Sequence, residues 1–292
     1  MGHLLTFNDA NIIPKFSDVP NKESIDLSVN KTGYPYYTLP IISAPHITGP
    51  DMARAMLASG GGACLKSPTS IDEHLKMFIE SKTGGYGAYR LPTVTTGIGL
   101  KEIERAEALA DAGAISFFID VDHGASIEVV KHVAMLREIL GQDFSLTVGN
   151  FQTGLSVEAF LEKSRRNAIN GIKVGSGYDD YYCGVSIPQL SALMDCKLAI
   201  KKAGLTMISE GGITKTTDII KAIGAGADMV ITSRFLQETS ASLDSSCDFL
   251  VHNVMKAFEN QLREGLFRVG AFTINEFHSL CEFVRICSYS NR

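Results

Sequence analysis

Apolar runs of strand length alternate with amphipathic segments of helix length eight times along this chain. The predicted strands cover residues 39–44, 62–66, 92–97, 115–121, 145–150, 171–175, 206–210 and 229–233. The predicted helices cover residues 49–60, 70–81, 101–112, 125–140, 155–167, 188–203, 215–225 and 246–263. Short strands that alternate with helices are typical of βαβ units and a parallel sheet. Eight units in 292 residues predict a single-domain α/β fold, a (β/α)8 TIM barrel.

A doubly wound open sheet is the alternative, but no G-x-G-x-x-G follows the first predicted strand. We divide the chain into an N-terminal arm over 1–37, a barrel core over 38–243 and a C-terminal segment over 244–292. Pro14, Pro20 and Pro35 make the arm irregular. The C-terminal segment is expected to complete the barrel or an oligomer interface.

Composition excludes several function classes. A net charge of -5 gives no general attraction for nucleic acid. The six cysteines are scattered without a C-x-x-C pair, which predicts no metal site and fits the reducing cytoplasm. Neither a signal peptide nor an apolar run of roughly 20 residues is present, so no membrane partner is expected.

Glycines and an arginine follow the last two predicted strands of the barrel. Glu210-Gly211-Gly212 ends one strand, and Ser233-Arg234 ends the next. Because strands seven and eight of such barrels commonly hold a phosphate at their carboxyl ends, these residues are candidates for phosphate binding. The alternative is a pair of tight turns before helices.

A glycine-rich loop with a single thiol follows the predicted strand 171–175. The loop runs from Gly175 through Gly177 to Cys183, and a thiolate there is a candidate nucleophile. Asp179 and Asp180 would raise the pKa of the thiol, which favours the alternative of a buried or incidental cysteine.

Further polar side chains follow other predicted strands. Asp120 and His123 are candidates for ribose binding or proton transfer, or alternatively for capping the next helix. Lys66 is a candidate partner of a phosphate or carbonyl, or alternatively a solvated lysine at the barrel rim. Asn150 is a candidate partner of a base or carboxamide, with a purely structural role as the alternative.

Motifs between about residues 4 and 242 resemble, in order, those of the IMP dehydrogenase/GMP reductase family. The matching segments are Leu5-Thr6-Phe7-Asn8-Asp9, Pro40-Ile41-Ile42-Ser43-Ala44-Pro45, Glu104-Arg105-Ala106-Glu107-Ala108-Leu109, Asp120 with His123-Gly124, Gly149-Asn150, Lys173-Val174-Gly175, Pro188-Gln189-Leu190-Ser191-Ala192, Glu210-Gly211-Gly212-Ile213 and Ala225-Gly226-Ala227-Asp228. The resemblance implies the same barrel fold.

The resemblance also implies an activity. Enzymes of this family interconvert IMP with XMP or GMP using a nicotinamide cofactor, so NADPH or NADH and a purine nucleotide (GMP or IMP-like) are expected ligands, and a homotetramer is expected. In the enzymes of this family, a cysteine in a loop attacks C2 of the purine. The absence of a regulatory insert within the matched motifs, together with Pro188-Gln189-Leu190 and Lys66, favours the GMP reductase branch.

The resemblance implies roles for individual residues. Cys183 and Lys66 are the expected catalytic residues. The expected substrate-binding residues are Ser43, Gly175, Gly177, Glu210, Gly211, Gly212, Ser233 and Arg234. The expected cofactor-binding residues are Asp120, His123 and Asn150.

Several positions depart from the family pattern. The cysteine loop is shorter, Val185 stands where a threonine is usual, and Glu210 replaces the ribose-binding aspartate. Ser240 occupies the position of the acid that helps to expel ammonia, and no Tyr-Arg-Gly flap of IMP dehydrogenases follows residue 243. A nucleotide-binding barrel with lost or altered catalysis is therefore the alternative, and IMP dehydrogenase activity is expected least.

Overall fold

Eight parallel strands close into a barrel in this computed structural model, which describes residues 4–31, 34–82, 91–165, 167–175, 184–240 and 247–286. The barrel strands are β2 Ile41–Ser43, β3 Gly62–Leu65, β4 Thr93–Thr96, β5 Ser116–Asp120, β6 Ser145–Phe151, β7 Gly171–Val174, β8 Thr206–Glu210 and β9 Met229–Thr232. Each strand pairs with its neighbour in sequence, and β9 pairs with β2 to close the barrel. The predicted (β/α)8 barrel is confirmed.

A ring of helices surrounds the strands. Those that follow the first seven barrel strands are α1 Pro50–Ala58, α2 Ile71–Lys82, α3 Leu100–Asp111, α4 Ile127–Leu140, α5 Gly154–Lys163, α6 Gln189–Lys202 and α7 Thr216–Gly224. After β9 come α8 Arg234–Ser240, α9 Cys247–Val269 and α10 Ile274–Leu280. No described helix has both the length and the apolar character needed to cross a membrane.

Burial on both faces explains why the strands read as continuous apolar runs. Every residue of β3, β4, β7 and β9 is buried, because helices cover the outside of a parallel barrel and side chains fill its interior. Polar side chains in these strands therefore need partners. Thr95, for example, donates its hydroxyl proton to the Leu65 carbonyl at 2.8 Å.

Tyrosines from the N-terminal arm fill the amino-terminal end of the barrel. Tyr34 and Tyr37 are buried in one apolar cluster with barrel residues that include Phe118. The Tyr34 hydroxyl bonds that of Thr147, and a side chain at Gly171 would collide with the same hydroxyl. Burial raises the pKa of Tyr34 to about 12. The arm thus closes the barrel at this end.

A short antiparallel ribbon outside the barrel joins the two ends of the described chain. Its strands are β1 Ala10–Ile12 and β10 Phe283–Arg285. An ion pair of 2.6 Å between Lys15 and Glu282 extends the contact. The helix α9 packs against α1, so the C-terminal segment covers the first helix of the barrel. The division of the chain into arm, core and C-terminal segment stays a prediction.

Candidate functional site

A cavity of about 750 Å³ opens at the carboxyl end of the barrel. Its lining residues follow strands β2, β5, β6, β8 and β9, or lie at their ends. They are Ala44, His46, Asp120, Asp122, Asn150, Glu210, Gly211, Gly212, Ile213, Thr214, Ile231, Thr232, Ser233, Arg234 and Gln237. Because active sites of (β/α)8 barrels lie at this end, the cavity is the candidate functional site.

A buried lysine connects two carboxylates of this cavity. The side chain of Lys173, on β7, is fully buried, and its ammonium forms ion pairs with Asp120 and Glu210. The two carboxylates are partly exposed, at 37% and 20% of their side-chain surface. Burial alone would lower the pKa of Lys173, but the charges of Glu210 and Asp120 outweigh burial and raise it. Lys173 is therefore a cation at neutral pH.

Glycines allow the strands to approach each other at this point. A side chain at Gly175 would overlap the backbone carbonyl oxygen of Glu210. Gly211 and Gly212 have φ values of 103° and 69°, a region that side chains disfavour. The chain therefore needs glycine where β7 ends beside β8 and where the backbone turns away from Glu210.

Two buried polar atoms in the lining have no hydrogen-bond partner within the described part of the chain. They are Oδ1 of Asn150 and Oγ1 of Thr232. Buried polar atoms are normally paired, by protein or by a bound molecule. The amide oxygen of Asn150 accepts only, so it suits a ligand that offers an N–H group, such as a carboxamide.

The cavity brings together seven of the residues predicted from the sequence: Asp120, Asn150, Glu210, Gly211, Gly212, Ser233 and Arg234. The side chain of Arg234 is exposed, and the Ser233 carbonyl accepts the backbone N–H groups of Leu236 and Gln237, each at 2.9 Å. The cavity therefore combines the Asp120 and Glu210 carboxylates, the Arg234 cation and the turn at Gly211 and Gly212.

Other predicted residues are not among the described residues that line the cavity. Ser43 is fully buried and accepts the Thr48 hydroxyl proton at 2.8 Å. Gly175 is buried behind Glu210, whereas Lys66 and His123 are exposed. Cys183 and Gly177 lie outside the described residues.

Lys173 was not among the predicted site residues, although the sequence contains a signal for it. It is a charged residue between Ile172 and Val174, inside a run that is otherwise apolar. A lysine buried in a strand must have a carboxylate partner, and strands β5 and β8 both end in an acid. Only the closed barrel shows that both acids reach the same ammonium.

Comparison with known proteins places this geometry in a family. The model of the "IMP dehydrogenase / GMP reductase domain" matches residues 4–249. An inosine-5'-monophosphate dehydrogenase from Cryptosporidium parvum is 32% identical over 154 residues, which are 51% of this chain and 37% of that protein. A GMP reductase from Leishmania major is 35% identical over 151 residues, 49% of this chain and 30% of that protein. The matched part thus spans well under half the length of either relative.

The fold also matches a solved structure. The crystal structure of GMP reductase from Trypanosoma brucei in complex with guanosine 5'-triphosphate superposes with a TM-score of 0.87 over 99% of both chains, at 18% identity. At this identity the likeness shows the shared fold alone. The family model matches most of the chain, from residues ahead of β1 to the first turn of α9. This chain therefore belongs to the IMP dehydrogenase/GMP reductase family.

Proposed function

We propose that this chain is a GMP-reductase-like, NAD(P)-dependent oxidoreductase that acts at C2 of a purine nucleotide through Cys183. The observation that carries the proposal is the Lys173 ammonium, which holds Asp120 and Glu210 together at the floor of a cavity in a barrel of this family. Fixed acceptors of this kind suit the hydroxyl groups of a sugar.

The cavity offers a separate group for each part of a nucleotide. We assign the ribose hydroxyls to Glu210, whose carboxylate accepts two hydrogen bonds. The phosphate is assigned to the turn of Gly211 and Gly212 together with Ser233 and Arg234. Lys173 acts as a positioning residue, because its ion pair fixes the direction of the Glu210 carboxylate.

The reaction needs a nucleophile and a hydride donor. The Cys183 thiolate forms a bond to C2 of GMP, and the amino group leaves as ammonia after protonation. A reduced nicotinamide held in this cavity would supply the hydride for C2, and cleavage of the C–S bond would then return the Cys183 thiolate and leave IMP. Asp120 and Asn150 are proposed to hold this cofactor, since the free amide oxygen of Asn150 fits a carboxamide N–H. His123 and the predicted catalytic residue Lys66 are assigned to the rim of this site.

A second candidate function is a nucleotide-binding barrel in which this chemistry is lost or altered. One observation in its favour is that the side chain of Lys66 is exposed. Another is that the Ser43 hydroxyl bonds that of Thr48, and Ser43 is not among the described residues that line the cavity. Val185 and Ser240, at positions where the family has reactive groups, point the same way. IMP dehydrogenase activity is the third and weakest candidate.

Purified protein mixed with GMP and NADPH or NADH separates these functions. The proposal expects loss of the near-ultraviolet absorbance of the reduced nicotinamide, and Cys183→Ser should abolish that loss. Cys281→Ser, which changes a half-buried thiol of the C-terminal segment, is the matched control. If calorimetry shows GMP binding without turnover, the second function stands. If GMP does not bind at all, both are overturned. Sedimentation of the same sample tests the proposed homotetramer.

A further inference from the structure

We propose that the amino-terminal end of the barrel carries a second binding site, for a phosphate-bearing small molecule. The site is a cavity of about 700 Å³ beneath the starts of β7 and β8. The end of α6, the helix α10 and the N-terminal arm form its walls. It shares no described lining residue with the cavity at the carboxyl end, so it is a separate site.

The charges that face this cavity are mainly positive. The charged residues of its lining are Lys31, Lys197, Lys201 and Asp228, with His278 as a further titratable group. Asp228 is already committed, because it pairs with Lys31 at 2.8 Å and accepts the Met207 backbone N–H at 2.8 Å. Two lysines therefore face the cavity without a carboxylate partner in the described part of the chain, on a protein whose net charge is -5.

Lys197 is the more informative of these two lysines. Its side chain is half-buried, and its ammonium donates to the His278 carbonyl at 3.0 Å. Burial is the main cause of a lowered pKa at Lys197; Cys281 opposes the shift, and the nearby charge of Lys201 adds to it. A bound anion would offset the desolvation of the Lys197 ammonium and its repulsion by the Lys201 ammonium. The pair of lysines therefore favours an anionic ligand.

The helix dipole does not account for this arrangement. Lysines in the last turn of a helix are favoured by the partial negative charge there, which explains Lys201 and Lys202 at the end of α6. Lys197 lies a turn earlier, where the dipole has little effect. The His278 carbonyl, rather than the dipole, holds this ammonium beside the cavity.

The lining also contains an amide whose NH2 group has no hydrogen-bond partner among the described residues. The Oδ1 atom of Asn170 accepts from Arg137 at 2.7 Å and from the Leu146 backbone at 3.0 Å. The NH2 group of Asn170 is the part that remains for a ligand. Two ammonium groups and an amide N–H match a ligand rich in acceptor oxygens. Phosphate has that chemistry, and the cavity lies in the range of about 300–1,000 Å³ that is usual for small-molecule sites.

Calorimetry of the full chain with inorganic phosphate tests the proposal. The double variant Lys197→Met/Lys201→Met removes both charges but keeps unbranched side chains of nearly the same length, and Lys202→Met is a matched control outside the lining. We expect the double variant to weaken phosphate binding by about tenfold or more, and the control by less than about twofold. Because Lys201 is exposed, Lys201→Met alone keeps the test available if the double variant does not fold.

The outcomes separate this site from the site of the proposed function. A first fraction of bound phosphate, which GMP displaces, occupies the cavity at the carboxyl end. A second fraction, which GMP does not displace, occupies the cavity at the amino-terminal end. Loss of the second fraction in the lysine variants supports the inference even if GMP fails to bind. ATP that binds more tightly than phosphate identifies a nucleotide as the ligand, and equal affinity identifies free phosphate. The inference is overturned if wild type binds neither probe in this fraction, or if the double variant binds as wild type does.

Discussion

The ammonium of Lys173 forms an ion pair with the carboxylate of Glu210 inside the barrel, and no part of the lysine side chain is exposed. Glu210 itself keeps a fifth of its side-chain surface open to the cavity. One partner of the pair is therefore structural, and the other faces the cavity. If Glu210 binds the nucleotide as proposed, this contact links stability to binding.

Replacing Lys173 tests this link directly. Lys173→Met leaves Asp120 and Glu210 facing each other without a cation, so we expect a loss of about 3–5 kcal/mol in the free energy of unfolding. Lys173→Arg keeps the charge and should lose less. Urea unfolding measures both values, with the exposed Lys202→Met as control. Equal stability of Lys173→Met and wild type would contradict the prediction.

Substitution of Glu210 tests the assignment of the ribose. Glu210→Gln replaces an ionised acceptor by a neutral amide, and hydrogen bonds to charged groups contribute about 1.5–3 kcal/mol. We expect weaker binding of GMP and a smaller preference for GMP over 2'-deoxy-GMP. Calorimetry with both nucleotides measures the change. An unchanged preference in the variant would show that the sugar hydroxyls bind elsewhere.

Gly175 is expected to tolerate no side chain. Gly175→Ala places a methyl group on the Glu210 carbonyl oxygen, so β7 and β8 must separate, and Lys173 moves away from its partners. We expect a loss of about 1–3 kcal/mol in stability, the usual cost of overpacking, together with weaker GMP binding. Gly97→Ala is the control, because its methyl group would lie 3.6 Å from the nearest atom and φ is not positive there. Similar thermal denaturation of the two variants would argue against this strand contact.

His74 predicts how stability depends on pH. Its ring is buried between α2 and α3, and burial, assisted by the charge of Arg105, lowers its pKa from 6.5 to about 4 although Glu102 opposes the shift. As pH falls from 6.5 to 4, the unfolded chain binds the proton before the folded chain does. The free energy of unfolding therefore falls in this window, by on the order of 3 kcal/mol from this group.

Denaturant unfolding between pH 4 and 7 measures that contribution. His74→Gln should flatten the dependence on pH, whereas His252→Gln, which changes an exposed histidine, should leave it as it is in wild type. If both variants keep the slope of wild type, other groups are responsible for the acid sensitivity.

The barrel was predictable because its strands are short, apolar and buried on both faces. Each of the eight predicted runs overlaps an observed strand, as 171–175 overlaps Gly171–Val174. The helices α8 and α10 were not predicted, because each has only seven residues and too few turns for a clear amphipathic pattern. The position of Tyr34 inside the barrel depends on Thr147 and Gly171, which are distant in sequence.

The candidate site was predictable where a residue lies at the carboxyl end of its strand, as Asn150 and Glu210 illustrate. Proximity to a strand end did not decide which side chains face the cavity. Ser43 ends β2 but turns to Thr48, and Lys66 follows β3 but extends into solvent. The direction of a side chain at the rim depends on contacts that the sequence pattern does not contain, such as the hydroxyl of Thr48.

The ribbon of β1 and β10 affects how the protein is made in the cell. A ribosome completes Ala10–Ile12 long before the partner strand Phe283–Arg285 emerges. Until then β1 has an open edge, and such edges pair readily with other chains. Translation that stops before residue 283 therefore leaves this edge uncovered, and a chaperone that binds extended segments would distinguish that product from a chain that contains the partner strand.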